Sequence, residues 1–91
     1  VISHLSSIIF RVREIVVSAC ILIRTSHGKF KEAMERIQQV RGVTKVFPVL
    51  GRYDVVADVE CESMSELGDT VLRISRLAGV VFTETLVEIQ K

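Results

Sequence analysis

The sequence has no tryptophan, one tyrosine and one proline, and aromatic residues make up 5% of its 91 residues although 48% are hydrophobic. The core must therefore be aliphatic, built from the Val, Ile and Leu side chains that pack well on pleated sheets. No apolar run is long enough for a signal peptide or a membrane span, since Ile8–Phe10 is followed at once by Arg11 and Arg13. We expect one domain with a cytoplasmic location.

The sequence also has no large excess of charge of one sign and no metal-binding motif. Twelve basic and eleven acidic residues give a net charge of +1, which disfavours nucleic-acid binding by this chain alone. Cys20 and Cys61 are far apart and form no C-x-x-C motif, which excludes a copper carrier, and His4 and His27 are not clustered. We expect no metal site and no cofactor. The cysteines are interpreted as buried reduced thiols, with a disulfide or metal ligation as the alternatives.

The hydrophobic pattern alternates between strand and helix periodicity. A run of ten mostly apolar residues opens it and is typical of a central strand buried on both faces. Pro48 cannot donate a ladder hydrogen bond and so indicates an edge strand. Ser63 and Glu66 form a capping box that begins the second helix. The predicted elements are strand 16–25, helix 29–40, strand 43–50, strand 53–61, helix 64–77 and strand 80–89.

An internal repeat relates the two halves of the chain. Residues 37–43 match residues 74–80 at an offset of 37, and the same offset carries strand 18–24 onto 55–61. Two strand–helix–strand units predict an α+β, ferredoxin-like βαββαβ sandwich, with two helices on one face of a four-stranded antiparallel sheet. Strands 16–25 and 53–61 should be central. Because the helices cover one face only, we expect a symmetric dimer formed through the other face.

The connection between the halves, Val49–Val56, is the candidate functional stretch. Gly51-Arg52 suits a two-residue type II′ turn, because glycine supplies the positive φ of its first position. Such a turn places Tyr53 and Asp54 at the mouth of the sheet. Asp54 then either caps its own turn in an ordinary hairpin or contacts a small ligand.

Residues from about 16 to 90 resemble the ligand-binding (RAM) domain of the Lrp/AsnC transcription regulators. The resemblance rests on the first strand ending in Thr25, on Arg41-Gly42-Val43, on the Gly51–Asp54 hairpin and on Ala78-Gly79-Val80 followed by Thr83-Glu84-Thr85. Taken in this order and spacing, these motifs are fairly specific. We therefore divide the chain into an N-terminal extension or linker strand, 1–14, and a RAM domain, 15–91.

The resemblance implies an amino acid or similar metabolite bound between subunits. In that family the hairpin and the T-x-T pair line the effector pocket, which implies a site formed by Gly51, Tyr53, Asp54, Thr83 and Thr85. Asp54 would bind the α-ammonium group, and the threonines would donate to the carboxylate. Ordinary strand threonines are the alternative for Thr83 and Thr85. The loop at His27 departs from the family's proline-glycine loop, so we interpret His27 as a solvent-facing residue.

Family regulators carry a helix-turn-helix domain before this module, and fourteen residues cannot supply one. We therefore expect a stand-alone form that does not itself read DNA. Its residues 7–13 either pair with the sheet of a neighbouring subunit or form a frayed terminus. The expected function is non-catalytic: the protein binds a metabolite and associates with itself or with full-length Lrp/AsnC regulators. This association would modulate transcription indirectly. One alternative is a small ferredoxin-like enzyme using Asp54, Asp58 or Glu84, although no nucleophile–base pair is visible. Another is an ACT-type or purely structural oligomerisation module.

Overall fold

Six elements follow one another in the order strand, helix, strand, strand, helix, strand. The computed structural model describes residues 16–89, so the expectations for residues 1–14 lie outside the described part of the chain. The order confirms the predicted βαββαβ arrangement. The elements are β1 (Val17–Thr25), α1 (Phe30–Gln38), β2 (Val43–Pro48), β3 (Val55–Cys61), α2 (Met64–Ser75) and β4 (Val80–Val87).

The four strands form one antiparallel sheet in the order β2-β3-β1-β4. The two apolar strands β1 and β3 are central, and β2, which contains Pro48, is at an edge, as the sequence predicts. In the register, Ile21 of β1 lies between Ala57 of β3 and Thr85 of β4. The ferredoxin-like fold class is thus confirmed.

The core lies between the sheet and the two helices. Side chains alternate between the two faces of a strand, and Ile21, Ile23 and Ala57, all fully buried, share the face that the helices cover. Ile37 of α1 and Ile74 of α2 are their fully buried counterparts from the helical layer. All large fully buried side chains among residues 16–89 are aliphatic, in line with the scarcity of aromatic residues.

The helix boundaries follow local sequence signals. Ser63 Oγ accepts a hydrogen bond of 3.1 Å from Glu66 N, which confirms the predicted cap of α2. Lys29, at the corresponding position of α1, makes no side-chain capping bond. Gly42 and Gly79 follow the two helices, as expected. Neither helix in the described range 16–89 is long and apolar enough to cross a membrane.

The internal repeat holds for the helices but not for the first strand of each half. An offset of 37 carries the buried Ala33 and Ile37 onto the buried Thr70 and Ile74. The same offset carries Ile21 onto Asp58, which lies on the opposite face of the sheet. The spacing from strand to helix differs between the halves: four residues separate β1 from α1 and two separate β3 from α2, and α2 has 12 residues where α1 has nine.

The second face of the sheet carries apolar side chains that no described element covers. Leu22 of β1 is only half-buried here, so the expectation that this strand is buried on both faces is not met within one chain. Val56 lies opposite Leu22, and the edge strand β4 adds Phe82 and Leu86, which are 52% and 51% exposed. We call this surface the open face.

Candidate ligand-binding site

The loop between β2 and β3 contains more residues than the sequence predicted. The last ladder pair is Pro48 with Val55, and Val49 N then donates to Asp54 O at 2.9 Å, which leaves a four-residue loop, 50–53. The prediction of a two-residue type II′ turn at Gly51-Arg52 is therefore wrong. The glycine is still required, because Gly51 has a φ of +132°, which is unfavourable for L side chains.

Asp54 fastens this loop to the end of β1. Its backbone N–H donates to Ile23 O at 2.9 Å, which draws the chain toward β1 and widens the loop. Its carboxylate Oδ2 accepts from Thr25 N at 2.7 Å and from Thr25 Oγ1 at 3.2 Å. Asp54 therefore does not cap its own turn. It bridges two segments 29 residues apart, and its Oδ1 has no hydrogen-bond partner within residues 16–89.

Tyr53 belongs to a cluster on the open face. Its hydroxyl donates a hydrogen bond to Glu84 Oε1. The Arg24 guanidinium lies 5.8 Å from the centre of the Tyr53 ring and 5.9 Å from that of Phe82, both within cation–π range. Arg24 Nε also donates to Arg52 O at 3.4 Å. These contacts join the loop to β1 and β4.

The hydrogen bond to Glu84 raises the pKa of the Tyr53 phenol above its ordinary value, because the ionised phenolate would lose this bond and lie beside a carboxylate. The bond is thus present below the ordinary pKa and is lost as the pH rises through the raised pKa. Tyr53 is the only tyrosine, so its titration can be followed by ultraviolet absorbance. We expect the midpoint to fall in Glu84→Ala and to stay unchanged in Glu62→Ala. Equal midpoints in all three proteins would contradict the contact.

Thr83 and Thr85 lie on the other face. They pair with Ile23 and Ile21 of β1, whose side chains face the helices, and both threonines are half-buried there. Glu84, between them, lies on the open face, where it reaches Tyr53. Within one chain, the structure thus groups Gly51, Tyr53 and Asp54 and places both threonines across the sheet from Tyr53. That all five residues bind a ligand stays a prediction.

A cavity of about 350 Å³ opens beside Asp54, between the hairpin and the N-terminus of α1. Sequence reasoning did not include Arg24 and Arg52 in the site, and it treated His27 as solvent-facing. His27 is exposed but also lines the cavity. Arg52 adjoins the hairpin motif, and Arg24 precedes the Thr25 that the motif includes, so proximity in sequence was the available signal. The lining residues are Arg24, Thr25, Ser26, His27, Gly28, Phe30, Arg52 and Asp54.

The three carboxylates considered for an enzymatic role, those of Asp54, Asp58 and Glu84, each have a different environment. Asp54 is bonded to Thr25 and Glu84 to Tyr53, whereas Asp58 lies on the open face opposite Cys20. Burial, and secondarily Asp58, raises the pKa of the Cys20 thiol, which keeps it protonated. In the part of the chain described, no three His, Cys, Asp or Glu side chains are grouped so as to hold a metal ion.

Comparisons with known proteins agree with this architecture. The family model of the Lrp/AsnC ligand binding domain matches residues 18–91. The HTH-type transcriptional regulator FL11 of Pyrococcus furiosus is 26% identical over 69 residues, which are 76% of this chain and 46% of FL11. The chain therefore spans about half the length of that relative.

Solved structures show the same fold. The protein TTHA0845 from Thermus thermophilus is 36% identical, with a TM-score of 0.78 over 82% of this chain and 95% of that one. The transcriptional regulator NMB0573 of Neisseria meningitidis, solved as a complex with L-Met, is 15% identical. Its TM-score is 0.71 over 82% of this chain and 51% of its own, and it shares the fold alone.

The sheet, its two helices and the cavity at the hairpin define a small α+β ligand-binding module. The family match extends over four-fifths of the chain. The protein belongs to the Lrp/AsnC family, as a ligand-binding domain of the kind found in transcriptional regulators. FL11 is named as a transcriptional regulator and the family model as a ligand binding domain, which supports a non-catalytic role at the level of the family.

Proposed function

We propose that this domain binds an amino acid or a closely related metabolite at the hairpin cavity and that its self-association modulates transcription. The observation that carries the proposal is Asp54, whose carboxylate is held at the cavity by Thr25 while Oδ1 keeps its acceptor capacity. A carboxylate fixed in this way is preorganised for an ammonium group, since little side-chain entropy remains to be lost.

The opposite charge is supplied at the same cavity. Arg24 is held in place by the rings of Tyr53 and Phe82, and Arg52 lies in the loop. Guanidinium groups suit carboxylates because their donors form a planar fork. A zwitterion with its ammonium at Asp54 and its carboxylate at an arginine matches both charges. The Neisseria regulator, which shares this fold, was solved as a complex with L-Met.

Self-association follows from the open face. Leu22, Phe82 and Leu86 form an apolar surface on the face of the sheet opposite the helices. We propose a symmetric dimer with the two open faces in contact. Thr83 and Thr85 lie on the helical face, so their part in ligand binding would need a further subunit outside that interface. A ligand that binds one assembly better than another would shift the population toward it.

Transcription would then be affected by association, with itself or with full-length Lrp/AsnC regulators. Both helices of residues 16–89 are packed on the sheet, and neither is arranged as a helix-turn-helix. A cytoplasmic location, where such regulators and free amino acids meet, is part of the proposal.

Thermal unfolding in the presence of each of the twenty amino acids tests the binding function. A ligand at one hundred times its dissociation constant stabilises the folded state by about 2.7 kcal/mol, which raises the midpoint of a domain of this size by several degrees. We expect one amino acid or a few related ones to give this shift, with no chemical change in the ligand afterwards. A midpoint that none of them raises would contradict the amino-acid assignment, and consumption of the ligand would favour an enzyme.

A further inference from the structure

A second concavity, of about 510 Å³, lies at the opposite end of α1 from the hairpin cavity. It is formed where the C-terminal ends of the two helices meet the loops that follow them. Its apolar floor consists of Val40 and Leu77, both half-buried against the core. The rest of the lining consists of Arg36, Gln39, Arg41, Arg73 and Arg76.

The rim carries four positive charges and, among residues 16–89, no acidic residue. Ion pairing offsets little of this charge within the described chain. Arg36 Nη1 lies 3.9 Å from Glu32 Oε2, and the other three arginines have no carboxylate oxygen of residues 16–89 within 4.0 Å. Four of the nine basic residues in this range therefore converge on one concavity, in a protein whose net charge is only +1.

Helix dipoles explain part of the arrangement. A basic residue in the last turn of a helix is favourable because the final carbonyls carry partial negative charge. Arg36 and Arg73 occupy those positions. Arg41 follows α1 beyond its last turn, and Arg76 adds a second guanidinium at the end of α2. Both raise the repulsion among like charges, which an anion in the concavity would relieve.

The internal repeat gives the concavity an approximate two-fold arrangement. Arg36 corresponds to Arg73, and Val40 corresponds to Leu77, each pair at the offset of 37 residues that holds for this part of the chain. Arg41 and Arg76 have no arginine counterpart, since the same offset relates them to Ala78 and Gln39, so the concavity combines one repeated pair of arginines and two further ones with an apolar floor. This geometry suits a ligand that combines several anionic oxygens with a flat apolar body.

We propose that this arginine concavity binds a small phosphorylated metabolite of the nucleotide class, at a site separate from the hairpin cavity. The phosphate oxygens lie between the guanidinium groups, whose planar forks match them in bidentate contacts. The base lies over Val40 and Leu77. The volume is in the usual range for small-molecule sites.

Calorimetric titration with ADP tests the proposal on the intact protein and on the variants Arg41→Gln, Arg73→Gln and Lys31→Gln. Lys31 is exposed on α1 and does not line the concavity, so its variant controls for the loss of one positive charge. We expect ADP to bind, and each arginine variant to bind about tenfold more weakly, as for the loss of one charged hydrogen bond. Lys31→Gln should bind as the unchanged protein does.

Two comparisons complete the test. Adenosine, which lacks phosphate, should not bind at the same concentration, and added salt should weaken ADP binding, because exposed charges are screened.

The proposal would be overturned by no ADP binding, or by equal weakening in Lys31→Gln. It would also be overturned by binding of a random DNA duplex that ADP does not displace, which would assign the surface to nucleic acid. None of these results bears on the hairpin cavity.

Discussion

Replacing Asp54 by alanine should destabilise the domain and also abolish the rise in unfolding temperature that an amino-acid ligand produces. The carboxylate accepts from both the backbone N–H and the hydroxyl of Thr25. Removing it leaves a partly buried backbone donor without a partner, although the backbone bond from residue 54 to Ile23 O remains. Hydrogen bonds to charged groups contribute about 1.5–3 kcal/mol, and we expect a loss of that size in urea unfolding.

Two further variants separate the structural role of Asp54 from its role in binding. Asp54→Asn keeps a side-chain oxygen that can accept from Thr25 N, so it should retain most of the stability and yet lose the charge that binds an ammonium group. Thr25→Val removes only the 3.2 Å hydroxyl bond and should retain ligand binding at a cost of about 1 kcal/mol. If Asp54→Asn responded to the ligand as the unchanged protein does, Asp54 would be a structural residue only.

The fold could be predicted from the sequence because each element carries a local signal. The change from strand to helix periodicity, the capping pair Ser63 and Glu66, and Pro48 on an edge strand each agree with the structure. The same signals do not predict the length of a helix or strand whose ends are determined by tertiary contacts. The additional turn of α2, and the ends of β2 and β3 at Pro48 and Val55, depend on packing and on the bond between Asp54 and Ile23.

The site could be predicted only in part. The spacing of Thr83 and Thr85 shows that they share a face, but the face itself is fixed by the register with Ile23 and Ile21, which no local pattern reveals. Arg24 resembles any polar residue at the end of a strand. Its position over Tyr53 and Phe82 results from two strands and the 50–53 loop being brought together by the fold. A resemblance to a family supplied the hairpin residues, because spacing alone could not distinguish a ligand contact from a turn.

The arginine concavity was missed for a related reason. A net charge of +1 describes the whole chain and conceals the convergence of Arg36, Arg41, Arg73 and Arg76, which lie in two segments more than thirty residues apart. The acidic residues of the described range lie outside the concavity: Glu60 lines a neighbouring cavity together with Arg41 and Arg73, and Glu84 is on β4. A balanced overall charge is thus compatible with a strongly basic local surface. The argument from net charge against binding of polyanions applies to the surface as a whole and not to each part of it.

The open face leads to a prediction about assembly. If two copies associate through this face, Leu86 becomes buried in the interface, and Leu86→Arg would place an unpaired charge there. We expect the dimer dissociation constant to rise by about a hundredfold or more, which corresponds to about 2.7 kcal/mol, so that a micromolar solution becomes monomeric. Analytical ultracentrifugation over a range of concentrations measures this directly.

The chain offers a matched control. Leu72 is 51% exposed, as Leu86 is, but it lies on α2 in the helical layer instead of on the open face. Leu72→Arg introduces the same side chain at the same exposure and should leave the dimer intact, because the helices take no part in the proposed interface. A dimer that survives Leu86→Arg and dissociates in Leu72→Arg would place the interface on the helices. A monomeric unchanged protein at micromolar concentration would leave the open face exposed and contradict the dimer itself.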